Sequence, residues 1–303
     1  MSECDVPGDC DALVIGGGLA GSTAATLQAR RGCSAQLLEK ARHLRVHIGE
    51  SRLPMNLPVL ERLGVIDAVE RIGVRKLAAD FASSDGNHGS LRFAGALDTQ
   101  RDHVCQGQCS EFDELRFRNA SAIGAAAFED AEALAIKRQT DGRHAVGVRH
   151  AGGECPLQAR WVMAGDAYAF VDPIFSSGVF LAMHGAERPA ERVDAALREP
   201  GRESALQRAC RSRMDAGIAH FSWFIESFTG PTMAALLKNP RNAWQVEQAV
   251  ISPLAGDVFN NPRVLQRLRL FGVIHAATWL SHWLRGRLRR APRRANTTGE
   301  AVA

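Results

Sequence analysis

The chain opens with short, fully apolar runs separated by glycine, and only later turns to the longer stripes of helices. Ala12 to Ile15 is an apolar run that ends in three glycines, the pattern of a strand buried in a parallel sheet. Leu19 to Arg31 then reads as a helix. Arg30 and Arg31 lie in its last turn, favourable to the dipole, and Gly32 supplies the left-handed stop. Ala35 to Glu39 returns as a second apolar strand, so strand, glycine turn, helix and strand make one βαβ unit.

Further on, Pro54 and Pro58 bracket the start of a helix that runs through Leu60, Leu63 and Val65. Alternating runs between Leu77 and Leu97, parted by Ser84-Asp85-Gly86, predict a β-hairpin. Phe112 to Ile123 is helical by its apolar spacing. Ala145 to Val148 and Ala159 to Ala164 are expected as strands around a Gly152-Gly153 turn. After Asp172-Pro173 the chain reads as mostly helical to Leu288, with breaks near Pro231, Pro240, Pro253 and Pro262. No internal repeat is present.

Composition changes this picture little. Hydrophobic residues make up 46% and charged residues 23% of the 303 residues, the range of ordinary soluble domains. The net charge of +4 is concentrated in Arg285, Arg287, Arg289, Arg290, Arg293 and Arg294, which leaves the body near neutral and argues against a nucleic-acid-binding surface across the fold. Seven irregularly spaced cysteines without a Cys-x-x-Cys pair predict no disulfide framework and a cytoplasmic home. The N-terminus has no secretory signal pattern, and Leu270 to Leu284 is too short to span a bilayer comfortably. The arginine-rich tail after that apolar stretch leaves weak contact with a membrane surface as an option beside a solvated tail.

The first chemical motif lies in Gly16-Gly17-Gly18-Leu19-Ala20-Gly21, a G-x-G-x-x-G on Gly16, Gly18 and Gly21. Its glycines serve a tight turn, close approach of backbone amides to a pyrophosphate, and close helix–strand packing. The helix N-terminus adds free N–H groups and partial positive charge. Glu39 closes the second strand 18 residues beyond Gly21, where a carboxylate accepts ribose hydroxyls and repels a 2′-phosphate. This motif alone leaves FAD and NAD both open.

A second motif distinguishes them: Ala164-Gly165-Asp166 followed by Asp172-Pro173-Ile174-Phe175-Ser176-Ser177-Gly178, with Asp172 expected to cap a helix led by Pro173. A third stretch, Gly49-Glu50-Ser51-Arg52-Leu53-Pro54, has the form G-E-S-x-L-P. Together they resemble the flavin-dependent halogenases and their monooxygenase relatives, in the wider family that includes p-hydroxybenzoate hydroxylase. The resemblance implies an α/β fold: a Rossmann-like FAD-binding domain with a reduced antiparallel substrate sheet and a helical C-terminal region. It also implies FAD as cofactor, with binding residues Gly16, Gly18, Ala20, Gly21, Glu39, Lys40, Arg45, Gly165, Asp166, Pro173, Ser177 and Gly178. Asp166 would hold the ribityl chain, and the Ser177 and Gly178 amides match a halide-binding turn.

By the same likeness, Lys76 stands where the halogen-directing lysine is found, and is expected as the catalytic residue. An amine of lowered pKa in a dry tunnel could react with hypohalous acid. A solvated surface lysine beside Arg75 is the alternative. Tryptophan halogenases carry a glutamate at the place of Phe175, so the chain looks more like enzymes for phenolic or pyrrolic substrates, free or carrier-tethered. A single dinucleotide motif implies a separate flavin reductase as partner.

The likeness breaks in two places. The family's Arg-x-x-Phe-Asp reads Cys109-Ser110-Glu111-Phe112-Asp113 here, and a thiol lacks the guanidinium's charged fork. Relatives also interpose a broad substrate sheet and a W-x-W-x-I-P motif where Arg160 here runs directly into Trp161, so an internal deletion is inferred. The expected division is a discontinuous FAD-binding domain over 1–75, 105–130 and 160–195, remnant substrate strands over 76–104 and 131–159, a helical region over 196–288 and a disordered basic tail over 289–303. The expected activity is an FAD-dependent oxidoreductase that halogenates or hydroxylates an electron-rich ring. The other reading is a degenerate FAD-binding protein that no longer turns over. His103, Cys105 and Cys109 lack a fourth ligand at usual spacing, and no metal is expected.

Overall fold

The computed structural model describes residues 5–8, 10–46, 50–82, 88–97, 101–140, 144–159, 163–171, 176–229, 246–256 and 262–290. In chain order the first strands are β1 (Ala12–Ile15), β2 (Ala35–Leu38), β3 (Val74–Lys76), β4 (Ala78–Ala82) and β5 (His88–Arg92). They are followed by β6 (Val104–Gln106), β7 (Ala126–Phe128), β8 (Glu132–Arg138), β9 (His144–His150) and β10 (Gly153–Ala159). The helices are α1 (Leu19–Arg30), α2 (Leu57–Leu63), α3 (Ile66–Ile72), α4 (Cys109–Ile123), α5 (Ser177–Arg198), α6 (Glu203–Thr229), α7 (Val246–Leu254) and α8 (Pro262–Arg290).

β1, β2 and β7 form a parallel sheet in that order, with Ala12 opposite Ala35 and Gln36 opposite Ala126. Its middle strand is buried at every position, as an apolar run between two covered faces must be. Successive side chains of a strand point to opposite faces. Leu37 packs with Ala25 of α1 and Phe117 and Ala120 of α4, whereas Leu38 packs with Val146, Val148 and Leu157 of an antiparallel sheet ordered β10-β9-β8. The result is three layers: helices, parallel sheet, antiparallel sheet. This is the expected α/β class.

β8–β10 therefore sit directly on the parallel sheet, in one core with Leu13 and Phe128. The predicted hairpin is present as β4–β5, with Ala78 opposite Arg92. Its central turn lies outside the described residues. β3 pairs with β6, Lys76 opposite Val104. α2 ends at Gly64, whose φ of +71° is the left-handed stop, and it buries Leu57, Val59, Leu60 and Leu63 with Phe112 of α4 and Val179 and Met183 of α5. Each such side chain contributes about 1.5–3 kcal/mol when fully buried. The C-terminal helices meet α5 in a second core of Phe180, Leu181, Phe221, Phe224, Ile225 and Phe271.

One expectation is corrected. The strand placed at Ala159 to Ala164 runs instead from Gly153 to Ala159, because Ala151 and Gly152, with φ of +52° and +81°, make a tight turn that starts β10 at once. Met163 and Ala164 carry no ladder, and 160–162 lie outside the described residues. The expected cap at Asp172 and helix start at Pro173 lie outside the described residues, and α5 is described from Ser177, with Ser176 at its N-cap. Among the cysteines, Cys155 is disulfide-bonded while Cys10, Cys33, Cys105, Cys109 and Cys210 are free. The irregular spacing of the cysteines gave no hint of that bond. No helix among the described residues is long and apolar enough to cross a membrane.

Candidate functional site

Each glycine of the first turn is glycine for a different physical reason. Gly16 has φ of +100°, which L side chains rarely adopt. A Cβ on Gly21 would lie 1.8 Å from the Gly16 carbonyl oxygen, so α1 could not leave the turn. Gly18 is different. Its φ of −73° suits any residue, and a Cβ there would meet only the Arg45 Nη2, at 3.4 Å. Neither backbone nor packing requires glycine at 18. The open space lies over the N-terminus of α1, whose N-cap makes no side-chain hydrogen bond. A cradle that a side chain would fill, lined by free helix amides, fits a diphosphate.

Glu39, 3% exposed, closes the far side of the turn. Its Oε2 accepts a hydrogen bond from the Gly17 N–H at 2.7 Å, and its Oε1 accepts from the Ala41 N–H at 3.0 Å. Arg45 pairs with Glu39 Oε1 through Nη1 at 2.7 Å and donates to Asp113 Oδ2 through Nε and Nη2 at 3.1 and 2.9 Å. Arg45 thus ties the end of β2 to α4. His43, its side chain wholly buried, has Nδ1 2.9 Å from Glu129 Oε1 and Nε2 3.9 Å from Asp113 Oδ2. Burial pushes the Glu129 carboxyl up, but hydrogen bonds from the His43 N–H and ring and from Arg118 outweigh it and hold the group down at about 2. Lys40 is exposed beside this network.

The second motif comes to the same place. Gly165, at φ of +62°, lies so close to α1 that a Cβ would stand 2.8 Å from the Cβ of Ala20. Asp166 is exposed next to it. Ser177 is fully buried at the start of α5, and a Cβ on Gly178 would meet nothing within 4 Å. α5 packs along α1, so the first turns of both helices flank one region of the molecule. Pro173 lies outside the described residues. Open cradle, buried carboxylate and second glycine turn together fit a flavin dinucleotide.

Residues 9–169 match the FAD binding domain family. The chain belongs to that family. Its curated relatives are distant and match about half of it. A tryptophan 2-halogenase of Chondromyces crocatus is 33% identical over 156 residues, which is 52% of this chain and 27% of that protein. A 1H-pyrrole-2-carbonyl-[peptidyl-carrier protein] chlorinase of Pseudomonas fluorescens is 28% identical over 174 residues, 51% of this chain and 38% of that protein. The matched region thus spans well under half the length of either relative. Among solved structures, a flavoprotein/dehydrogenase of Cytophaga hutchinsonii superposes with a TM-score of 0.75 at 16% identity, covering 90% of this chain and 99% of that one. That likeness concerns the fold.

Lys76, at the end of β3, is half-buried, and its Nζ donates to Ser51 Oγ at 2.7 Å, 5.9 Å from the centre of the Phe93 ring. Burial lowers its pKa, with Asp80 opposing. It is not the solvated surface residue that its neighbour Arg75 is. Arg75 points away, 3.6 Å from Glu70 and 65% exposed. Lys76 and the third motif are therefore joined through Ser51.

Sequence reasoning missed two arginines. Arg52, the variable residue of G-E-S-x-L-P, is fully buried, with its guanidinium 3.7 Å from the centre of the Phe112 ring and Nη1 donating to the Cys105 carbonyl at 2.8 Å. Arg116, 1% exposed, lies 5.2 Å from the same ring centre and donates to the Leu19 carbonyl at 2.6 Å. It also bonds Thr23 Oγ1. Burial lowers both guanidiniums to about 10. They surround buried Cys109, the position whose missing guanidinium was the departure from the family pattern. An arginine at a variable motif position, opposite a cysteine at an arginine position, was the signal available.

Proposed function

We propose that the protein is an FAD-dependent oxidoreductase of the halogenase/monooxygenase type, acting with O2 on an electron-rich phenolic or pyrrolic ring, free or carrier-tethered. The observation that carries this reading is Lys76: half-buried, fixed by Ser51 and drawn into the same structure as the flavin motifs. FAD, when bound, supplies the activation of oxygen. Gly16, Gly18 and Gly21 with the N-terminus of α1 would bind its diphosphate, and Glu39 its ribose. Arg45 would hold Glu39 in place. The first turn of α5, with Ser177 and Gly178, would offer amides to anionic groups. Lys76, stripped of part of its hydration, would deliver electrophilic halogen or orient the substrate hydroxyl. Lys40, Asp166 and Pro173 belong to the proposed cofactor set as well. A carrier-tethered pyrrole is the substrate named for the relative from Pseudomonas fluorescens, and it sets one arm of the test.

The experiment is reconstitution with FAD, a flavin reductase, NADH, O2 and chloride or bromide, against phenolic and pyrrolic substrates with and without a carrier. Mass-spectrometric product that disappears in Lys76→Ala supports the reading, and product unaffected by that change removes Lys76 from it.

A second reading rests on a different observation. β10 ends at Ala159, residues 160–162 lie outside the described residues, and Met163 and Ala164 lead into Gly165 without a ladder of their own. That suits a degenerate FAD-binding protein without turnover. Flavin bound stoichiometrically, with no product from any substrate in that panel, would favour it.

A further inference from the structure

We propose that the second half of α8 is a docking surface for an anionic lipid bilayer, with the helix lying along the membrane. The helix divides at Phe271. Up to that point Val264, Leu268 and Phe271 are buried against the core. Beyond it no described residue is buried, and Val273, Trp279, Leu280 and Trp283 are 66, 53, 47 and 41% exposed. At 100° per residue, Val273, Ala276, Ala277 and Leu280 share one face. Trp279 and Trp283 stack beside it, ring centroids 6.4 Å apart.

Polarity is inverted relative to an ordinary surface helix. Ala276 and Ala277 are exposed, while Thr278 and Ser281 are half-buried and spend their hydroxyls on the helix's own carbonyls, of Ile274 and Thr278, both at 2.8 Å. A helix that shows water its apolar side is built for a partner.

Charge decides which partner. The helix runs on through Arg285, Arg287, Arg289 and Arg290, and Arg293 and Arg294 follow in the sequence. A second copy could cover the apolar face but would offer the arginines no negative complement. An anionic bilayer offers both halves of the complement: acyl chains for the apolar face, headgroups for the indoles, and phosphates for the guanidiniums. The helix is not long and apolar enough to cross, which fits a surface position.

The test uses the full FAD-loaded chain sedimented with vesicles of phosphatidylcholine alone or with about a third phosphatidylglycerol, at low and high salt. Binding at least about tenfold stronger to the anionic vesicles, and weakened by salt, is expected. Leu280→Asp, and separately replacement of Arg285, Arg287, Arg289 and Arg290 by Gln, should each lower it about tenfold or more. Melting temperature and flavin content should hold in both, as Leu280 is exposed in the parent. Equal binding to both vesicle types, no binding, or binding untouched by either variant would overturn the proposal. So would tighter binding to duplex DNA than to vesicles, or a dimer that Leu280→Asp dissolves.

Discussion

Gly165 and Ala20, 145 positions apart in the sequence, touch so closely that a single added methyl group would bring two Cβ atoms within 2.8 Å. This contact holds the second glycine turn against the first turn of α1. Gly165→Ala should therefore cost about 1–3 kcal/mol, from a φ of +62° and overpacking combined, and should also weaken FAD binding. Adding Ala20→Gly should recover the packing share and leave the backbone share. Thermal melts and FAD titrations of the three variants check this. Full recovery by Ala20→Gly would show that the backbone conformation at 165 costs nothing.

Gly18 and Gly21 separate binding from folding. Gly18→Val meets open space and one movable arginine, so it should fold within about 1 kcal/mol of the parent while losing FAD. Gly21→Ala collides with a backbone carbonyl and should unfold or melt far lower. Stoichiometric flavin in a folded Gly18→Val would remove the cofactor from this turn.

Why some of this was legible in the sequence is a question of range. The turn at Gly16 to Gly21, the helix after it and Glu39 are local: period, glycine and strand end lie within thirty residues, so they could be read directly. The hairpin β4–β5 and the helix from Phe112 were legible for the same reason. Short strands such as β6 and β7 were not, because three residues carry no period and exist only through their partners. β10 was misplaced because the turn ends one residue earlier than its glycine pair suggests: Ala151 and Gly152 make it, and Gly153 already begins the strand. Arg45 with Asp113, and Arg52 with Phe112, are tertiary pairs that no spacing announces.

Cys109→Arg would restore the motif's arginine on paper. In the fold, Cys109 is buried between influences of Arg52 and Arg116, both already shifted by burial. A further guanidinium there would crowd those of Arg52 and Arg116, with Asp113 as the nearby counter-charge, and the variant should lose more than about 2 kcal/mol rather than gain cofactor affinity. Cys109→Arg combined with Arg52→Leu should regain part of that loss. Denaturant titrations of the single and double variants decide it, and a single variant as stable as the parent would show that the α4 start accommodates the charge.

Glu129 gives a pH prediction with a definite sign. Its folded pKa is held at about 2, below the ordinary 4.5, so it contributes stability fully above the unfolded value and loses it as pH falls between about 4.5 and 2. Glu129→Gln should be less stable than the parent by about 1–2 kcal/mol at neutral pH, and the two should converge towards pH 2. A stability difference that stays constant from pH 7 to 2 would mean the His43 and Arg118 contacts do not favour the ionised form.

Turnover depends on whether the surroundings of Lys76 exclude water. Among the described residues, the sheets flanking it are the two-stranded pairs β3–β6 and β4–β5. β8 is exposed from Leu134 to Arg138, with Leu134 at 40% and Ile136 at 54%. Partial burial lowers the lysine pKa, but a dry chamber is what would bring an amine near neutrality and keep an oxidised halogen from solvent. On the degenerate reading, the 303-residue chain supplied with reduced flavin and oxygen should therefore release hydrogen peroxide nearly in step with reductant consumed and form little product, whereas the halogenase/monooxygenase reading requires product. Insertion of a relative's segment between Arg160 and Trp161 should raise the product yield, and Lys76→Ala in that background should abolish halogenation while peroxide release continues. Peroxide quantified against halogenated product in one reaction provides the measurement. Efficient halogenation by the parent chain would show that two short strand pairs suffice to seal the site.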